Sequence, residues 1–207
     1  MYGLDFTRQT IDLGQAFERS ADSRLAERPY NVLEIGFGMG DSLLESVQEF
    51  PDTNFLGIEV HGPGVGHLMG LAASEGLSNL RVYRHDVIDV LKYCLPDGCL
   101  DVVQVFFPDP WPKKKHHKRR LVNREFVDLV KHKLKHQGIL HLATDWPDYA
   151  QQMQEVVSGS NLFEIRKQGR GRPETKYERR AKNLGHSIAD LVYQSRQDGP
   201  SKQILQQ

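Results

Sequence analysis

The stretch from residue 102 to residue 120 constrains the fold most strongly. It opens with an apolar run, rich in β-branched and aromatic residues, that ends at Phe107. A continuous run of this kind predicts a strand buried on both faces, as in the parallel sheets of α/β proteins. Pro108, Pro110 and Pro112 then end the strand, because proline lacks the N–H group that a ladder needs. The stretch therefore predicts a parallel sheet covered by helices on both faces.

Polar side chains follow that strand directly. Asp109 and Trp111 lie between the prolines, and residues 113–120 contain six Lys or Arg and two His. Ligands of open α/β sheets bind at the carboxyl ends of strands, where this loop is predicted to lie. A basic run is also typical of a solvated surface, and a Pro-rich loop is often only a connection. We interpret the combination of a carboxylate, an aromatic ring and a polycation at one strand end as a site for a polyanion.

A glycine-rich loop follows the first predicted strand, residues 32–35, and an amphipathic stretch at 41–50 follows the loop. Strand, glycine loop and helix in that order are typical of nucleotide-binding folds. The glycines stand at 36, 38 and 40, whereas a dinucleotide fingerprint would place its third glycine at Asp41. The spacing therefore argues against NAD and favours the tighter turn of S-adenosylmethionine (SAM) enzymes.

Strands and helices alternate along the rest of the chain. Strands are predicted at 32–35, 54–60, 80–83, 102–107, 138–143, 162–165 and 188–193, and helices at 41–50, about 65–76, 87–94, 121–135 and 149–157. Gly138 is expected to end the fourth of these helices as its C′ residue. The alternation predicts a doubly wound α/β sheet, mostly parallel with an antiparallel last strand. We expect a single domain over 1–207, with an N-terminal segment at 1–30, a flexible basic loop at 168–173 and a frayed tail from Ser195.

Acidic residues follow several of the predicted strands. Glu59 lies about 20 residues beyond the glycine loop, where an acidic side chain can accept hydrogen bonds from ribose hydroxyls; the alternative is an ordinary strand-end carboxylate. Asp86 is predicted to be the N-cap of the following helix and can also hold an adenine edge. Asp145 and Trp146 repeat the pairing of a carboxylate with an aromatic ring at the next strand end.

Charge is distributed unevenly along a chain whose formal net charge is zero. Residues 1–110 carry 7 Lys or Arg against 17 Asp or Glu, a charge of −10, and residues 111–207 carry 20 against 10, a charge of +10. The second half suits an anionic ligand such as RNA. No stretch resembles a transmembrane helix or signal peptide, no Cys/His spacing suggests a metal site, and Cys94 and Cys99 are expected to be free thiols in the cytoplasm.

Several segments closely resemble the bacterial tRNA (guanine-N7-)-methyltransferase family. They are LEIGFGMG, FLGIEVHGPGVG, GLSNLRVYRHDV, FFPDPWPKKKHHKRR, the TD of ATDW, and RPETKYERR, within roughly residues 3–193. The DPWPKKKHHKRR and RPETKYE segments are the most specific, because generic SAM enzymes lack them. The resemblance implies a Rossmann-like class I methyltransferase fold, with SAM as cofactor and tRNA as partner. It also implies methyl transfer to N7 of guanine at position 46 of the variable loop, by a monomer or homodimer without a metal.

The resemblance also assigns roles to individual residues, with Asp109 as the active-site aspartate. It places Glu34, Gly36, Gly38, Gly40, Glu59, Asp86 and Asp109 at SAM-binding positions, Lys113, Asp145, Thr175, Lys176, Tyr177 and Glu178 at substrate-binding positions, and Lys115, His116, His117, Lys118, Arg119 and Arg120 in an RNA-contacting run. Guanine N7 has an exposed lone pair, so no general base is expected. Two alternatives are a non-catalytic RNA-binding subunit with the same fold and a methyltransferase for another RNA base.

Overall fold

The computed structural model describes residues 2–17, 30–160, 162–164 and 173–196. Its strands form one eight-stranded sheet in the order β1-β4-β3-β2-β5-β6-β8-β7. The strands are β1 Gly3–Leu4, β2 Tyr30–Ile35, β3 Thr53–Ile58, β4 Leu80–Tyr83, β5 Leu100–Phe106, β6 Leu134–Thr144, β7 Leu162–Glu164 and β8 Ala189–Ser195. β8 runs antiparallel to both of its neighbours, and the remaining pairs are parallel. The prediction of a mostly parallel sheet with an antiparallel last strand is confirmed.

Helices cover both faces of this sheet. They are α1 Leu13–Ala16, α2 Asp41–Glu49, α3 Gly62–Ser74, α4 Val87–Tyr93, α5 Arg124–Lys133, α6 Pro147–Ser158 and α7 Lys176–Asn183, with a 3₁₀ helix at Lys114–Arg119 that we call the basic helix. α4, α5 and α6 pack on one face, around Leu33, Val103 and Leu142. α2 and α3 pack on the other face, around Val32 and Phe55. Among the described residues no helix is long and apolar enough to span a membrane.

Local chemistry accounts for where several helices begin. The Asp86 side chain accepts a hydrogen bond from the Ile88 N–H at 2.8 Å and so caps α4, which confirms the predicted N-cap. Asn123 caps α5 in the same way, through the Phe126 N–H at 3.0 Å. Both caps follow loops from the carboxyl edge of the sheet, and therefore help to fix the ends of those loops.

The predicted role of Gly138 is wrong. α5 ends at Lys133, and Gly138 lies inside β6. The β5–β6 register shifts between Leu100 and Val102, so β6 contains a bulge in which Gln137 has a positive φ of 60°. A Cβ on Gly138 would lie 2.9 Å from the Lys135 carbonyl oxygen, which explains why glycine occupies this position. The polar residues of the bulge continue the amphipathic pattern of α5, and so they were predicted to be helical.

α5 passes into β6 without an intervening loop, since Leu134 directly follows Lys133. Lys133 is buried at this junction, and its ammonium group donates to the Leu95 carbonyl at 2.8 Å and to Asp97 at 2.6 Å. The end of α5 is thereby tied to the turn that leads into β5. The strand and the helix that carry the loop 107–123, β5 and α5, are therefore held to one another at the amino edge of the sheet.

The N-terminal segment contributes a strand that the sequence pattern did not predict. β1 pairs with β4, with Gly3 opposite Val82, and Phe6 stacks on His85 with ring centroids 3.8 Å apart. Most of the predicted basic loop at 168–173, residues 197–207 of the predicted tail and residues 18–29 lie outside the described residues. Ser195, where the tail was predicted to begin, is buried at the end of β8.

The chain reverses its direction of travel across the sheet between β2 and β5. From β2 the strands proceed outward through β3 and β4, and the chain then returns to place β5 on the other side of β2. In open α/β sheets, ligands bind in the crevice at the carboxyl end of such a switch point. A ligand-binding site is therefore expected at the loops that follow β2 and β5.

Candidate active site

The glycine loop, residues 36–40, leaves the carboxyl end of β2. Gly36, Gly38 and Gly40 have φ values of 75°, 61° and 85°, which side chains rarely tolerate. The loop is closed by hydrogen bonds from the Gly36 N–H to the Ile58 carbonyl at 2.8 Å and from the Gly40 N–H to the Phe37 carbonyl at 2.9 Å. A Cβ added to Gly36 would meet no atom within 4 Å, so the space beside this backbone is open.

Glu59 joins the end of β3 to the glycine loop. One of its carboxylate oxygens accepts the Gly38 N–H at 2.8 Å. The other accepts the N–H groups of Val60 at 2.7 Å and His61 at 2.9 Å. On the opposite side of the loop, α3 approaches so closely that a Cβ on Gly64 would lie 1.8 Å from the Gly38 carbonyl oxygen. Gly38 is therefore held on both sides, by a carboxylate and by the backbone of a helix.

A cavity of about 250 Å³ adjoins the glycine loop. Its lining joins buried Glu34 of β2 and Phe106 of β5 to the start of α7, which is distant from both in sequence. The lining residues are Glu34, Gly36, Phe37, Met39, Gly40, Asp41, Ser42, Phe106, Thr175, Lys176, Tyr177 and Arg180. The fold thus brings three of the residues predicted to bind the cofactor next to three of those predicted to bind the substrate.

The start of α7 contributes two kinds of side chain. Thr175 is buried and caps the helix, accepting the Glu178 N–H at 3.0 Å, and Glu178 pairs with Lys182 at 2.9 Å. Lys176 and Tyr177 are exposed, and a Cβ on Gly38 would lie 3.8 Å from the Tyr177 ring and hydroxyl. Thr175 and Glu178 therefore have clear structural roles in forming the helix, whereas Lys176 and Tyr177 face the cavity.

The proline loop, residues 107–112, leaves the carboxyl end of β5 beside the glycine loop. Asp109 is exposed at its centre and makes no hydrogen bond or ion pair with the described residues. Phe107 and Trp111, on either side of it, have φ values of 52° and 44°. Positive φ in such bulky residues is strained, and strain of this kind occurs preferentially at functional sites. The loop therefore presents a carboxylate from a backbone that its surroundings must hold in place.

The basic helix follows this loop and folds back on it. The guanidinium of Arg119 lies 4.9 Å from the centre of the Trp111 ring, and His116 meets the same ring edge-on at 5.9 Å. Lys113 precedes the helix and is exposed, as are Lys115, Lys118 and Arg119, whereas His116 and His117 are half-buried. Trp111 therefore packs against the basic helix that follows it.

Arg120, which was predicted to belong to the RNA-contacting run, is buried. Only 1% of its side chain is exposed, and its guanidinium donates to the Pro110 carbonyl at 2.8 Å, to Gln152 at 2.6 Å and to Asp148 at 2.6 Å. Its charge also lies 4.7 Å from the centre of the Tyr149 ring. A side chain so enclosed cannot reach a phosphate without leaving all of these partners.

Asp145, at the end of β6, has a partner that the sequence pattern did not reveal. Nδ1 of His186 lies 3.0 Å from its carboxylate. His186 directly follows Gly185, whose φ of 76° ends α7, and its own N–H bonds the Ala181 carbonyl at 3.0 Å. In the sequence, the one sign of this contact is a histidine that follows a helix-ending glycine. That pattern does not indicate which strand end the histidine ring contacts.

Comparison with known proteins assigns the chain to a family. A family model described as a putative methyltransferase matches residues 28–191. A tRNA (guanine-N(7)-)-methyltransferase of Shewanella amazonensis is 47% identical over 93% of this chain and 80% of its own length, and that of Marinobacter nauticus is 50% identical over the same shares. The chain belongs to the tRNA (guanine-N(7)-)-methyltransferase family. A SAM-dependent methyltransferase structure from Aquifex aeolicus, 15% identical, matches 80% of this chain and 81% of its own with a TM-score of 0.56, and so shows the shared Rossmann-like class I fold.

The cofactor that this family implies, SAM, fits the residues around the glycine loop. Gly36 lines the cavity, and a Cβ at that position would meet no atom within 4 Å. Glu59 uses three of the roughly four acceptor positions of a carboxylate on backbone N–H groups, which leaves one for a ligand hydroxyl. Among the described residues, no group of His, Cys, Asp or Glu is arranged to hold a metal ion.

Proposed function

We propose that this member of the tRNA (guanine-N(7)-)-methyltransferase family transfers a methyl group from SAM to N7 of guanine 46 in the variable loop of tRNA. One observation supports the proposal: exposed Asp109 lies on the proline loop, which follows the strand paired with β2 of the glycine loop and leads directly into an exposed basic helix. A cofactor site and an anion-binding surface therefore meet at one residue. The cytoplasm, where tRNA is modified, is the location that we propose for this reaction.

Acidic strand-end residues supply the cofactor side of the site. Glu34 and the glycine loop line the cavity, and Glu59 and Asp86 follow the next two strands along the same edge. In this proposal the one free acceptor position of the Glu59 carboxylate accepts a hydrogen bond from a ribose hydroxyl. Asp86 accepts a hydrogen bond from the adenine edge while it also caps α4. When bound, SAM supplies a methyl group activated by a positively charged sulfur, which suits these carboxylates.

No general base is needed for attack by guanine N7. The atom is an acceptor with a lone pair exposed in the major groove, so no proton leaves before the new bond forms. The bond from sulfur to the methyl carbon breaks as the bond from N7 to that carbon forms, and the guanine ring gains positive charge. The residues must therefore align the two partners and stabilise a developing cation, rather than move a proton.

Asp109 and Asp145 are the carboxylates that we assign to the guanine. They end the neighbouring strands β5 and β6, and both can accept from the N1–H and N2–H₂ edge or stabilise the ring charge. Asp145 is oriented by His186, whereas Asp109 is oriented only through the backbone of the proline loop. Of the two carboxylates, Asp109 lies nearer in sequence to the basic helix, which supports its role as the active-site aspartate.

Positive side chains around the cavity and the proline loop supply the RNA side. Lys113, Lys115, Lys118 and Arg119 are exposed in or beside the basic helix, with His116 and His117 half-buried below them. Contacts of this kind to phosphates position an RNA without reading its sequence. We assign Lys176 and Tyr177, together with the helix start that Thr175 and Glu178 form, to the nucleoside next to the cofactor.

Methyl transfer from labelled SAM to bulk tRNA, followed by mapping of the labelled nucleotide, tests the proposal. We expect label only in 7-methylguanosine at position 46, and none in a transcript in which adenine replaces that guanine. SAM binding without transfer would instead identify a non-catalytic RNA-binding subunit. Label on another base or position would retain a methyltransferase and reject the assigned target.

A further inference from the structure

Arg120 is the last of eight consecutive residues of basic or histidine type, but its surroundings differ from those of the others. The side chain is buried at the point where the proline loop, the basic helix and α6 meet. Each part of its guanidinium has a partner: Nε donates to the Pro110 carbonyl, and the two terminal nitrogens donate to Gln152 and Asp148 of α6. We propose that Arg120 is a positioning residue, which fixes the proline loop to α6 and so orients Asp109.

The connection to Asp109 is short and runs through the backbone. Pro110 directly follows Asp109, and its carbonyl is the acceptor that Arg120 fixes at 2.8 Å. On the other side of Asp109, Phe107 is held by a hydrogen bond from its N–H to the Ala143 carbonyl at 2.8 Å. Asp109 itself contacts none of the described residues through hydrogen bonds or ion pairs. Its position therefore depends on these two backbone anchors, one of which is Arg120.

Backbone strain in the proline loop explains why the loop needs Arg120 as an anchor. Phe107 and Trp111 both have positive φ, and a loop that contains two such residues keeps its conformation only when its surroundings impose it. Neighbouring arginines restrain consecutive residues of the loop: Arg119 lies over the Trp111 ring, and Arg120 bonds Pro110. A planar guanidinium presents several N–H donors in fixed directions, so one side chain can bond a carbonyl and two side chains at once.

The supports on α6 are also well defined. Asp148 is largely exposed, and the hydrogen bond from Arg120 lowers the pKa of its carboxyl. The face of the guanidinium packs on Tyr149, whose hydroxyl accepts the Val122 N–H at 3.0 Å just beyond Arg120. α6 therefore holds the residue and the segment that follows it. With these contacts in place, the Arg120 side chain is not accessible to a phosphate.

This inference rests on the proposed methyl transfer, and the test compares Arg120 with Lys118, an exposed residue of the same basic run. Arg120→Lys keeps the positive charge but replaces three separate donor nitrogens with one, so the ammonium group cannot reach Pro110, Gln152 and Asp148 at once. We expect at least a tenfold lower kcat, with the Kd for tRNA and its salt dependence within twofold of wild type, because misplacing a reacting group by about 1 Å costs on the order of 10²-fold. Lys118→Ala, the control at an exposed position of the same basic helix, should instead raise KM for tRNA more than it lowers kcat.

Two further variants leave Arg120 in place and remove its supports. Gln152→Ala and Asp148→Asn should each lower kcat two- to fivefold without weakening tRNA binding. If Arg120 held RNA, Asp148→Asn would release it and would strengthen tRNA binding instead. Gln152→Ala is the cleaner of the two, because Asp148 also lies 3.7 Å from His117.

Thermal unfolding and SAM binding by calorimetry are measured for each variant, and kinetics are run well below the lowest Tm. If Arg120→Lys does not fold, the two support variants decide the question: lower kcat at unchanged tRNA affinity supports positioning, and unchanged kcat in both overturns it. An effect of Arg120→Lys confined to KM and the salt dependence would also overturn the inference. A wild-type chain that binds SAM but does not methylate tRNA would overturn the proposed function, and this inference with it.

Discussion

The glycine loop and the proline loop end neighbouring strands at the switch point, yet they reach their conformations by different means. The glycine loop places three glycines at positive φ, where the absence of a side chain removes the strain. The proline loop places Phe107 and Trp111 at positive φ, and it is restrained by Ala143 at Phe107, by Arg120 at Pro110 and by Arg119 at Trp111. Both loops are contacted by other segments, but the residues of the glycine loop adopt positive φ without strain, whereas contacts must hold the strained residues of the proline loop. We infer that the first is built for close approach of a cofactor and the second for holding a single carboxylate.

Removing that carboxylate should produce the largest effect. We expect Asp109→Ala to lower kcat by about 10²-fold or more, because preorganised charge at the reacting centre is commonly worth that much. Stability should be unaffected, since Asp109 is exposed and bonds none of the described residues. Steady-state kinetics with tRNA and thermal unfolding check both expectations. Asp128→Ala, an exposed carboxylate on α5, is the control, and near wild-type kcat in Asp109→Ala would refute the role of the proline loop in the reaction.

Crowding the glycine loop should impair binding of the cofactor. Gly64→Ala on α3 would place a Cβ 1.8 Å from the Gly38 carbonyl oxygen, so the loop or the helix must move. We expect roughly 1–3 kcal/mol of destabilisation from overpacking and about tenfold weaker SAM binding by calorimetry, equivalent to about 1.4 kcal/mol.

Gly70→Ala on the same helix is the matched control, because a Cβ there meets no atom within 4 Å. It should leave SAM affinity unchanged and raise stability by about 0.5–1 kcal/mol, since alanine favours helix over glycine. Equal SAM affinity in the Gly64 and Gly70 variants would show that the glycine loop does not need the backbone of α3 in order to bind its ligand.

The smallest effect concerns the basic helix, which has no counterpart after the glycine loop. The double variant Lys115→Ala and Lys118→Ala should reduce the magnitude of the slope of log K for tRNA against log salt. Each lost phosphate contact lowers that magnitude by about 0.7–0.9, so the loss of two should lower it by about 1.4–1.8. SAM affinity should not change. The control removes the same charge outside the basic helix, with Lys92→Ala on α4 and Lys135→Ala on β6, whose ammonium groups pair with Glu125 and Asp101. Identical slopes in the two double variants would mean that the basic helix does not contact RNA.

Features that depend on local composition could be predicted from the sequence. The buried strands were found because apolar runs such as β5 suit only a covered parallel sheet, and the glycine loop because of its spacing. The strand-end carboxylates followed from these assignments. The family resemblance then predicted the cofactor, the substrate and the residues around them, and the family itself is confirmed.

Features that depend on contacts between distant segments could not be predicted. Nothing in a run of eight similar residues indicates that Arg120 alone turns inward, because its partners on α6 are about 30 residues away. His186 meets Asp145 across 41 residues, and β1 is a two-residue strand that only its pairing with β4 defines. Gly138 was misassigned because the bulge of β6 continues the polar pattern of α5.

The junction between α5 and β6 has a consequence for which parts of the site can open independently. Buried Lys133 ties the end of α5 to the turn before β5, and β5 pairs with β6, so these three elements should be protected from amide hydrogen exchange together. The basic helix lies between two members of this unit but contains no buried residue. It can therefore rearrange around an arriving RNA while the sheet beneath it stays closed.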